Sequence, residues 1–188
     1  MAFEIRAIAP DVLDQLRKTD DAGRAPRRIV DEEGGNPLRC CLRRSRPGEA
    51  VLLAAYAPLR RWALETGADP GAYEEVGPVF VHEEPCGGPR PETRPGTRPE
   101  TGPGYPAAMG GPRRVFRTYR ADGSILNGHL VDAHQSADPV AASILLDTLL
   151  EDPETAVIHV RAVEFGCFLF EVRRDVLENP TTSDAPVR

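Results

Sequence analysis

The sequence predicts an α+β fold, in which a mainly antiparallel sheet of about seven strands is combined with two or three short helices. Most apolar segments are short and alternate with polar residues, and most are joined by turns that contain Gly, Pro or Asp. Turn-linked strands pair antiparallel, because parallel neighbours need long crossover connections. A length of 188 residues suits one domain, and we expect residues 1–178 to form it.

The first third of the chain predicts short strands that alternate with helical turns. Residues 3–8 alternate and predict an opening strand, and Pro10 stands where a helix begins. Residues 50–56 are apolar throughout, which is typical of a strand buried on both faces. Residues 58–66 predict one or two helical turns, and residues 38–43 (LRCCLR) predict a further strand.

Two adjacent cysteines lie in the predicted strand at residues 38–43. Neighbouring side chains of a strand point to opposite faces. We therefore expect Cys40 to face the core and Cys41 to face away from it, beside Arg39. Under this interpretation, at most one of the two cysteines belongs to any site.

A second candidate metal ligand pair follows the next predicted strand, where His82 ends the strand and Cys86 lies in the loop after it. A His-x₃-Cys pair is half of a metal site, and Cys41, Cys167 or His159 would complete it for zinc or iron. We nevertheless expect no metal there, because no C-x₂-C or H-x₃-H pair supports it. We expect no organic cofactor, since the chain has neither a dinucleotide-binding G-x-G-x-x-G nor a Walker loop.

The stretch at residues 87–112 is rich in Pro, Gly, Arg and Thr and nearly repeats itself. Such a composition cannot supply a core, so it predicts a flexible surface insertion. Residues 179–188 predict a disordered tail.

The last third of the chain predicts a hairpin, a helix and a second hairpin. Residues 115–119 and 125–131 flank an Asp-Gly turn. Asp138 is the predicted N-cap of a helix that has Pro139 at its first position. The predicted core face of this helix comprises Val140, Ala141, Ile144, Leu145, Thr148 and Leu149.

The second hairpin has a predicted three-residue loop at 164–166, a register that keeps one face wholly apolar. His159 then pairs with Glu171. Arg161 pairs with Leu169. The apolar face comprises Ile158, Val160, Ala162, Phe168, Phe170 and Val172. The other face comprises Val157, His159, Arg161, Val163, Cys167, Leu169 and Glu171.

This second face carries our candidate catalytic site. His159, oriented by Glu171, would act as general acid and base. Arg161 would bind a carboxylate or phosphate, and Cys167 beside it would act as a nucleophile. The other predicted substrate-binding residues are Arg39, Arg117, Tyr56, Tyr73 and His82. The alternative is that His159 and Glu171 form only a solvated cross-strand pair.

Charge and hydropathy restrict the partners. The net charge is −6 and the isoelectric point about 5.3, which argues against nucleic acid as a partner. The longest apolar run, residues 50–57, is shorter than the roughly 18 residues of a spanning helix, and no signal peptide is visible. We expect a cytoplasmic protein with reduced cysteines, an anionic small-molecule ligand and no membrane partner. The oligomeric state is open, and a dimer is compatible with the sequence.

Five stretches of the chain form a recognisable set. The most specific are GPVFVH, within residues 72–86, and AVIHVRAVEFGCFLFEV at residues 156–172. The others are the opening strand with the helix at Pro10, residues 37–56 and residues 117–131. Together they resemble one bacterial family, the domain of unknown function 1203 family. The resemblance implies a single domain in cytoplasmic bacterial proteins and implies no activity. Leu38 stands where the resemblance leads us to expect a cysteine paired with Cys41, and the insertion is longer than expected.

Three functional hypotheses follow from these residues. The first is a small-molecule enzyme of the lyase, isomerase or cyclase type, which uses acid/base chemistry on an anionic metabolite in bacterial specialised metabolism. The second is a non-catalytic accessory protein that binds a small ligand. The third is a metal or haem protein with His and Cys ligands. The chain has no H-E-x-x-H and no G-x-S-x-G, which argues against the zincin and common hydrolase classes.

Overall fold

A computed structural model describes residues 3–89, 97–98 and 102–175. In these residues the strands are β1 (Phe3–Arg6), β2 (Arg27–Asp31), β3 (Pro37–Leu38), β4 (Arg43–Arg44), β5 (Glu49–Tyr56), β6 (Gly77–His82), β7 (Thr97–Arg98), β8 (Gly102–Pro103), β9 (Arg114–Tyr119), β10 (Ile125–Val131), β11 (Val157–Ala162) and β12 (Phe168–Arg174). The helices are α1 (Pro10–Leu16), α2 (Pro58–Thr66), α3 (Ala133–Ala137) and α4 (Pro139–Glu151), with a 3₁₀ turn at Ala107–Met109.

Two five-stranded sheets form most of the described fold. The first has the order β1-β12-β11-β9-β10, and the second has the order β2-β5-β6-β3-β4. Every pairing is antiparallel except that of β3 with β6. The prediction of mixed helices and mainly antiparallel strands is confirmed, whereas the prediction of one sheet of about seven strands is wrong. Periodicity identifies strands, but it does not say which strands share a sheet.

The first sheet is packed on both faces. On one face, Leu146 and Leu150 of α4 join Phe116, Ile158 and Phe170 in a fully buried cluster. On the other face, the second sheet and α1 close a second cluster to which β12 contributes one aromatic ring. Helix α2 packs against the C-terminal end of β9, at Tyr119, and the N-terminal end of β11, at Val157. Burial on both faces explains why β11 and β12 are almost entirely inaccessible.

Helix α4 begins as predicted but buries a different face. The Asp138 carboxylate accepts a hydrogen bond from the Val140 N–H (2.9 Å). The buried positions are Ala142, Ser143, Leu146 and Leu150. Val140 and Ile144, predicted to face the core, are about half exposed. The helix has apolar residues around most of its circumference, so periodicity alone does not fix its core face.

The terminal hairpin keeps one predicted pair and loses another. His159 pairs with Glu171 as predicted, but an irregularity after Val160 pairs Arg161 with Phe168 instead of Leu169. Phe168 therefore lies on the His159 side, with the two rings 5.2 Å apart. Leu169 joins the opposite core. The assignment of these two side chains to faces was wrong, because a bulge reverses the alternation locally.

Part of the stretch predicted to be a surface insertion belongs to the core. Tyr105 and Met109 are buried, and Tyr105 lies against the rings of Phe116 and Phe170. Residues 90–96, 99–101 and 176–188 lie outside the described residues, and so does the predicted tail. In the part of the chain that is described, no helix is long and apolar enough to span a bilayer.

Candidate functional site

A turn, rather than a strand, carries the two adjacent cysteines. β3 ends at Leu38, residues 39–42 turn, and β4 returns beside β3. The Leu42 N–H donates to the Leu38 carbonyl (2.9 Å), and Leu42 has a left-handed φ of 56°. Because alternation does not apply within a turn, Cys40 and Cys41 reach the same site. The predicted strand at 38–43, and with it the rule that only one cysteine joins a site, was wrong.

The end of β6 brings a histidine to this turn. β3 pairs in parallel with β6 through Leu38 and Phe80, and the Arg39 N–H donates to the Phe80 carbonyl (2.9 Å). His82 ends β6 beside the cysteines, and the loop after it returns to the same point. The resulting cysteine–histidine cluster comprises Cys40, Cys41, His82 and Cys86, whose ligand atoms lie within 4.8 Å of one another.

The His82 ring faces the thiols with one nitrogen and a carboxylate with the other. Nδ1 lies 3.1 Å from Sγ of Cys40 and 3.9 Å from Sγ of Cys41. Nε2 lies 3.1 Å from Oε1 of Glu49. Arg43 binds the Glu49 carboxylate with two N–H groups and also approaches Nε2. Sequence reasoning missed Glu49, which lies 33 positions from His82 and carries no motif.

Glu49 places a negative charge beside His82. The hydrogen bond from Arg43 lowers the pKa of Glu49 to about 2, so this carboxylate is ionised at neutral pH. Nε2 of His82 lies against this carboxylate and the Arg43 guanidinium group, and Nδ1 is the ring nitrogen that faces the cysteines. A carboxylate behind a histidine in this way is the usual outer partner of a metal-ligating imidazole.

The cluster also favours thiolates. A hydrogen bond from Cys40 lowers the pKa of Cys41 to about 5 and that of Cys86 to about 4. Cys40 has one S–H, which donates to one of these two neighbours at a time, and this donation raises the pKa of Cys40, with burial adding to the effect. The hydrogen bond to Cys41 raises the pKa of His82. Thiolate is the form of cysteine that ligates metals and attacks electrophiles, so the cluster has the donor chemistry of a metal centre.

The predicted catalytic pair lies in the protein interior instead. His159 is fully buried, and its Nε2 lies 3.3 Å from Oε2 of Glu171. The rings of Tyr119 and Phe168 enclose it at 4.8 and 5.2 Å. Burial lowers the pKa of His159 despite the opposing effect of Glu171. The pair is therefore neither the solvated pair that we considered nor an accessible acid and base.

The other predicted substrate-binding residues are dispersed. Arg161 and Arg117 both bind the carboxylate of Glu75, which also accepts from the Tyr119 hydroxyl (2.8 Å). Sequence reasoning did not identify Glu75, which lies outside the regular elements. Tyr73 is about half exposed, and Tyr56 is buried against a phenylalanine ring.

Two predicted residues meet in a cleft between the sheets. Cys167 is half-buried and lines this cleft together with Arg39, which is 3% exposed. Burial lowers the pKa of Arg39 to about 10. The predicted residues thus separate into the cluster, the buried His159 pair, the Glu75 ion pairs and the cleft.

The comparisons with known proteins bear on identity and not on chemistry. No curated protein and no solved structure matches the chain significantly. Residues 35–174 match the family described as Protein of unknown function (DUF1203). The matched range includes the whole of β11 and β12 and all four members of the cysteine–histidine cluster. Because the match covers well over half of the chain, this protein belongs to the DUF1203 family.

Proposed function

We propose that this protein is a metalloprotein that holds one zinc ion in the cysteine–histidine cluster. The observation that carries the proposal is the convergence of three thiols and one imidazole nitrogen within 4.8 Å. These donors come from a turn, the end of a strand and the following loop, so their meeting is a product of the tertiary fold. Sulfur and imidazole are ligands that zinc prefers.

The spacing of the donors fits a tetrahedral ion. Zinc lies about 2.3 Å from sulfur and about 2.0–2.1 Å from nitrogen, which places neighbouring ligand atoms roughly 3.5–3.8 Å apart. The two distances from Nδ1 of His82, 3.1 and 3.9 Å, bracket that spacing. All four donor atoms lie within 4.8 Å of one another. Small side-chain rotations therefore suffice to close the four donors on one ion.

Four protein ligands point to a structural rather than a catalytic ion. A catalytic zinc ion keeps one position for water or substrate, whereas structural sites are filled by Cys and His. The ion would hold the turn at residues 39–42 against the end of β6. That turn contains the left-handed Leu42, a conformation that costs about 1–2 kcal/mol for a residue with a side chain. A metal ion bound by two cysteines of the turn and by His82 and Cys86 outside it would offset this cost.

The acid/base hypothesis stays a prediction with less support from geometry. A general base must lie within hydrogen-bond reach of the substrate proton. His159 is 0% exposed, and a substrate reaching it would have to displace an aromatic ring. The metal hypothesis needs no such rearrangement.

Elemental analysis of the freshly purified, untagged protein tests the proposal. We expect one zinc ion per chain, and less than a tenth of that in the double variant Cys40→Ser, Cys41→Ser. Cobalt substitution provides an independent readout, since tetrahedral thiolate coordination gives intense visible absorption bands. The matched control is Cys167→Ser, which removes a half-buried thiol outside the cluster. A metal-free wild-type protein that also fails to bind added zinc would overturn the proposal, and iron instead of zinc would overturn the choice of metal.

A further inference from the structure

A cleft of about 770 Å³ lies between the two sheets, and its described lining residues include no member of the cysteine–histidine cluster, although Arg39 directly precedes Cys40. Its walls are largely apolar, with Leu53 and Phe80 from the second sheet and Leu169 from the first. Three arginines line it: Arg39, Arg44 and Arg114. We call this site the arginine cleft. Its volume is within the range of small-molecule sites, which combine apolar walls with a few fixed polar groups.

Backbone carbonyls hold the three guanidinium groups in place. Nε of Arg39 donates to the Phe168 carbonyl (2.8 Å). Arg44 and Arg114 both donate to the Gly110 carbonyl, each at 3.0 Å. Arg39 also donates to the Pro37 carbonyl, and Arg44 and Arg114 each donate to two further backbone carbonyls. Each guanidinium group has five N–H donors, so at least two donors on each remain beyond these backbone bonds. The remaining donors are thereby pre-oriented, which reduces the entropy lost when a ligand binds.

Positive charge exceeds negative charge in the cleft. Among the described residues that line the cleft, Glu164 is the one carboxylate, and it lies 3.5 Å from Arg114. Within the described residues, neither Arg39 nor Arg44 has a carboxylate within ion-pair distance. The contrast with Arg117 and Arg161, which share Glu75, is direct. A buried guanidinium group without a counter-charge is costly, because its desolvation is not offset.

We propose that the arginine cleft binds a small amphiphilic oxyanion, namely a carboxylate or phosphate monoester attached to an apolar body. The oxyanion would lie against Arg39, with Arg44 and Arg114 at its sides, since the planar guanidinium fork matches two oxygens at once. The apolar body would extend along Leu53, Phe80 and Leu169. The arginine cleft shares no described lining residue with the metal cluster, and binding of the oxyanion does not require zinc.

Isothermal titration calorimetry with matched ten-carbon probes tests this inference. We expect decanoate or decyl phosphate to bind the full chain saturably, with one molecule per chain. Decanol, which lacks the charge, should bind at least tenfold more weakly, and inorganic phosphate, which lacks the apolar body, should also bind at least tenfold more weakly. Comparison of the two anionic probes distinguishes a carboxylate site from a phosphate site. If neither anion binds, or if decanol binds as tightly as both, the proposal is wrong.

Two variants locate the binding in the cleft. Arg39→Met keeps the length of the buried stem and removes the charge, so we expect at least a tenfold loss of affinity. The control is Arg6→Met, where the arginine is exposed and paired with Glu4. Leu53→Trp narrows the cleft without changing an arginine and should also weaken binding at least tenfold. Unchanged affinity in both cleft variants would overturn the proposal.

Local chemistry provides a readout that separates this proposal from the metal proposal. Cys167 lines the cleft and is half-buried. A bound anion should slow its alkylation by iodoacetamide severalfold, as measured by peptide mass spectrometry. Zinc content is measured on each variant, because Arg39 adjoins the cluster. Loss of anion binding at full zinc content assigns the effect to the cleft, and unchanged Cys167 alkylation at saturating anion would place the ligand elsewhere.

Discussion

His82 and His159 each have a glutamate behind one ring nitrogen, yet their surroundings differ completely. Nε2 of His82 lies 3.1 Å from Glu49, and Nε2 of His159 lies 3.3 Å from Glu171. The difference is at the second nitrogen. Nδ1 of His82 faces thiols, whereas Nδ1 of His159 is buried without a hydrogen-bond partner in the described part of the chain.

A carboxylate behind an imidazole therefore orients the ring but does not decide its use. Where the free nitrogen meets other donors, the ring can ligate a metal. Where it meets aromatic rings, as Tyr119 and Phe168 meet His159, the ring serves as a polar member of a core. We therefore expect changes around His82 to alter metal binding, and changes at His159 to alter stability without altering metal binding.

The largest effect is expected when the metal is lost from the cluster. Cys41→Ser removes one thiolate ligand, and the proposed ion would leave the turn unsupported. Structural zinc in zinc-finger peptides contributes about 10–16 kcal/mol, but this fold also has a separate hydrophobic core. We expect a loss of about 3–5 kcal/mol, which lowers Tm by on the order of 10 °C in a chain of this size. Thermal unfolding with and without a chelator measures it.

Two comparisons make this result specific. Treatment of the wild-type protein with a chelator should reproduce the loss, and the Cys41→Ser variant should no longer respond to the chelator. Cys167→Ser should retain the wild-type response, since its thiol lies outside the cluster. A chelator response that survives in Cys41→Ser would contradict the proposed ligand set.

The interior histidine should matter for stability and not for metal binding. His159→Ala leaves a cavity between two aromatic rings and removes a partner of buried Glu171. Truncation of a large buried side chain of this kind costs about 2–5 kcal/mol. Urea unfolding should show this loss, while the zinc content stays at the wild-type level. A fully stable variant would contradict the assignment of His159 to the core.

The features that were predicted correctly depend on residues that lie close together in the sequence. The His159–Glu171 pair follows from alternation within one hairpin, and the α4 cap follows from adjacent residues Asp138 and Pro139. Both are short-range consequences of backbone geometry. The adjacent cysteines Cys40 and Cys41 are evident in the sequence. We applied the alternation of strand side chains to them, but they lie in a turn, where this alternation does not hold.

The features that were missed depend on tertiary contacts. The cluster requires β3 to lie parallel to β6, and a two-residue strand has no periodicity from which to infer that pairing. Glu75 reaches Arg161 across 86 positions and Glu49 reaches His82 across 33 positions, without any motif. The arginine cleft is formed by two sheets whose separation the sequence did not indicate. A short predicted strand that carries several reactive side chains, such as residues 38–43, is therefore better interpreted as a turn, in which side chains need not alternate between two faces.

A smaller effect is expected at the carboxylate behind His82. Glu49→Gln keeps the shape of the side chain but removes the negative charge behind Nε2 of His82, so His82 becomes a poorer ligand. Loss of such outer partners typically lowers metal affinity about 10–100-fold. Competition between the protein and a chromogenic chelator measures the change. The matched control is Glu83→Gln, whose carboxylate follows His82 in sequence and pairs with exposed Arg28. Equal affinity in Glu49→Gln and wild type would remove Glu49 from the site.

The smallest expected effect is a pH dependence that belongs to His159 alone. Burial holds the folded-state pKa of His159 below its ordinary value of 6.5. As the pH falls below about 6.5, the unfolded chain therefore binds a proton before the folded chain does, and the free energy of unfolding decreases. The charged groups that act on the ring are Glu171, Glu75 and Arg161, and the two glutamates oppose the shift.

His159→Phe isolates this contribution because it fills the same space with a ring that does not titrate. Subtracting the unfolding free energies of the two proteins cancels the titration of His82 and the cysteines, which both share. The wild-type protein should lose more stability than the variant as the pH is lowered from neutrality toward 5, while the proton uptake of Glu171, whose folded-state pKa lies below its ordinary 4.5, follows at lower pH. Parallel pH profiles for the two proteins would mean that the folded-state pKa of His159 is not lowered, as expected for a solvent-accessible imidazole. His159 would then not be a polar member of the core, and it would again be a candidate general acid and base.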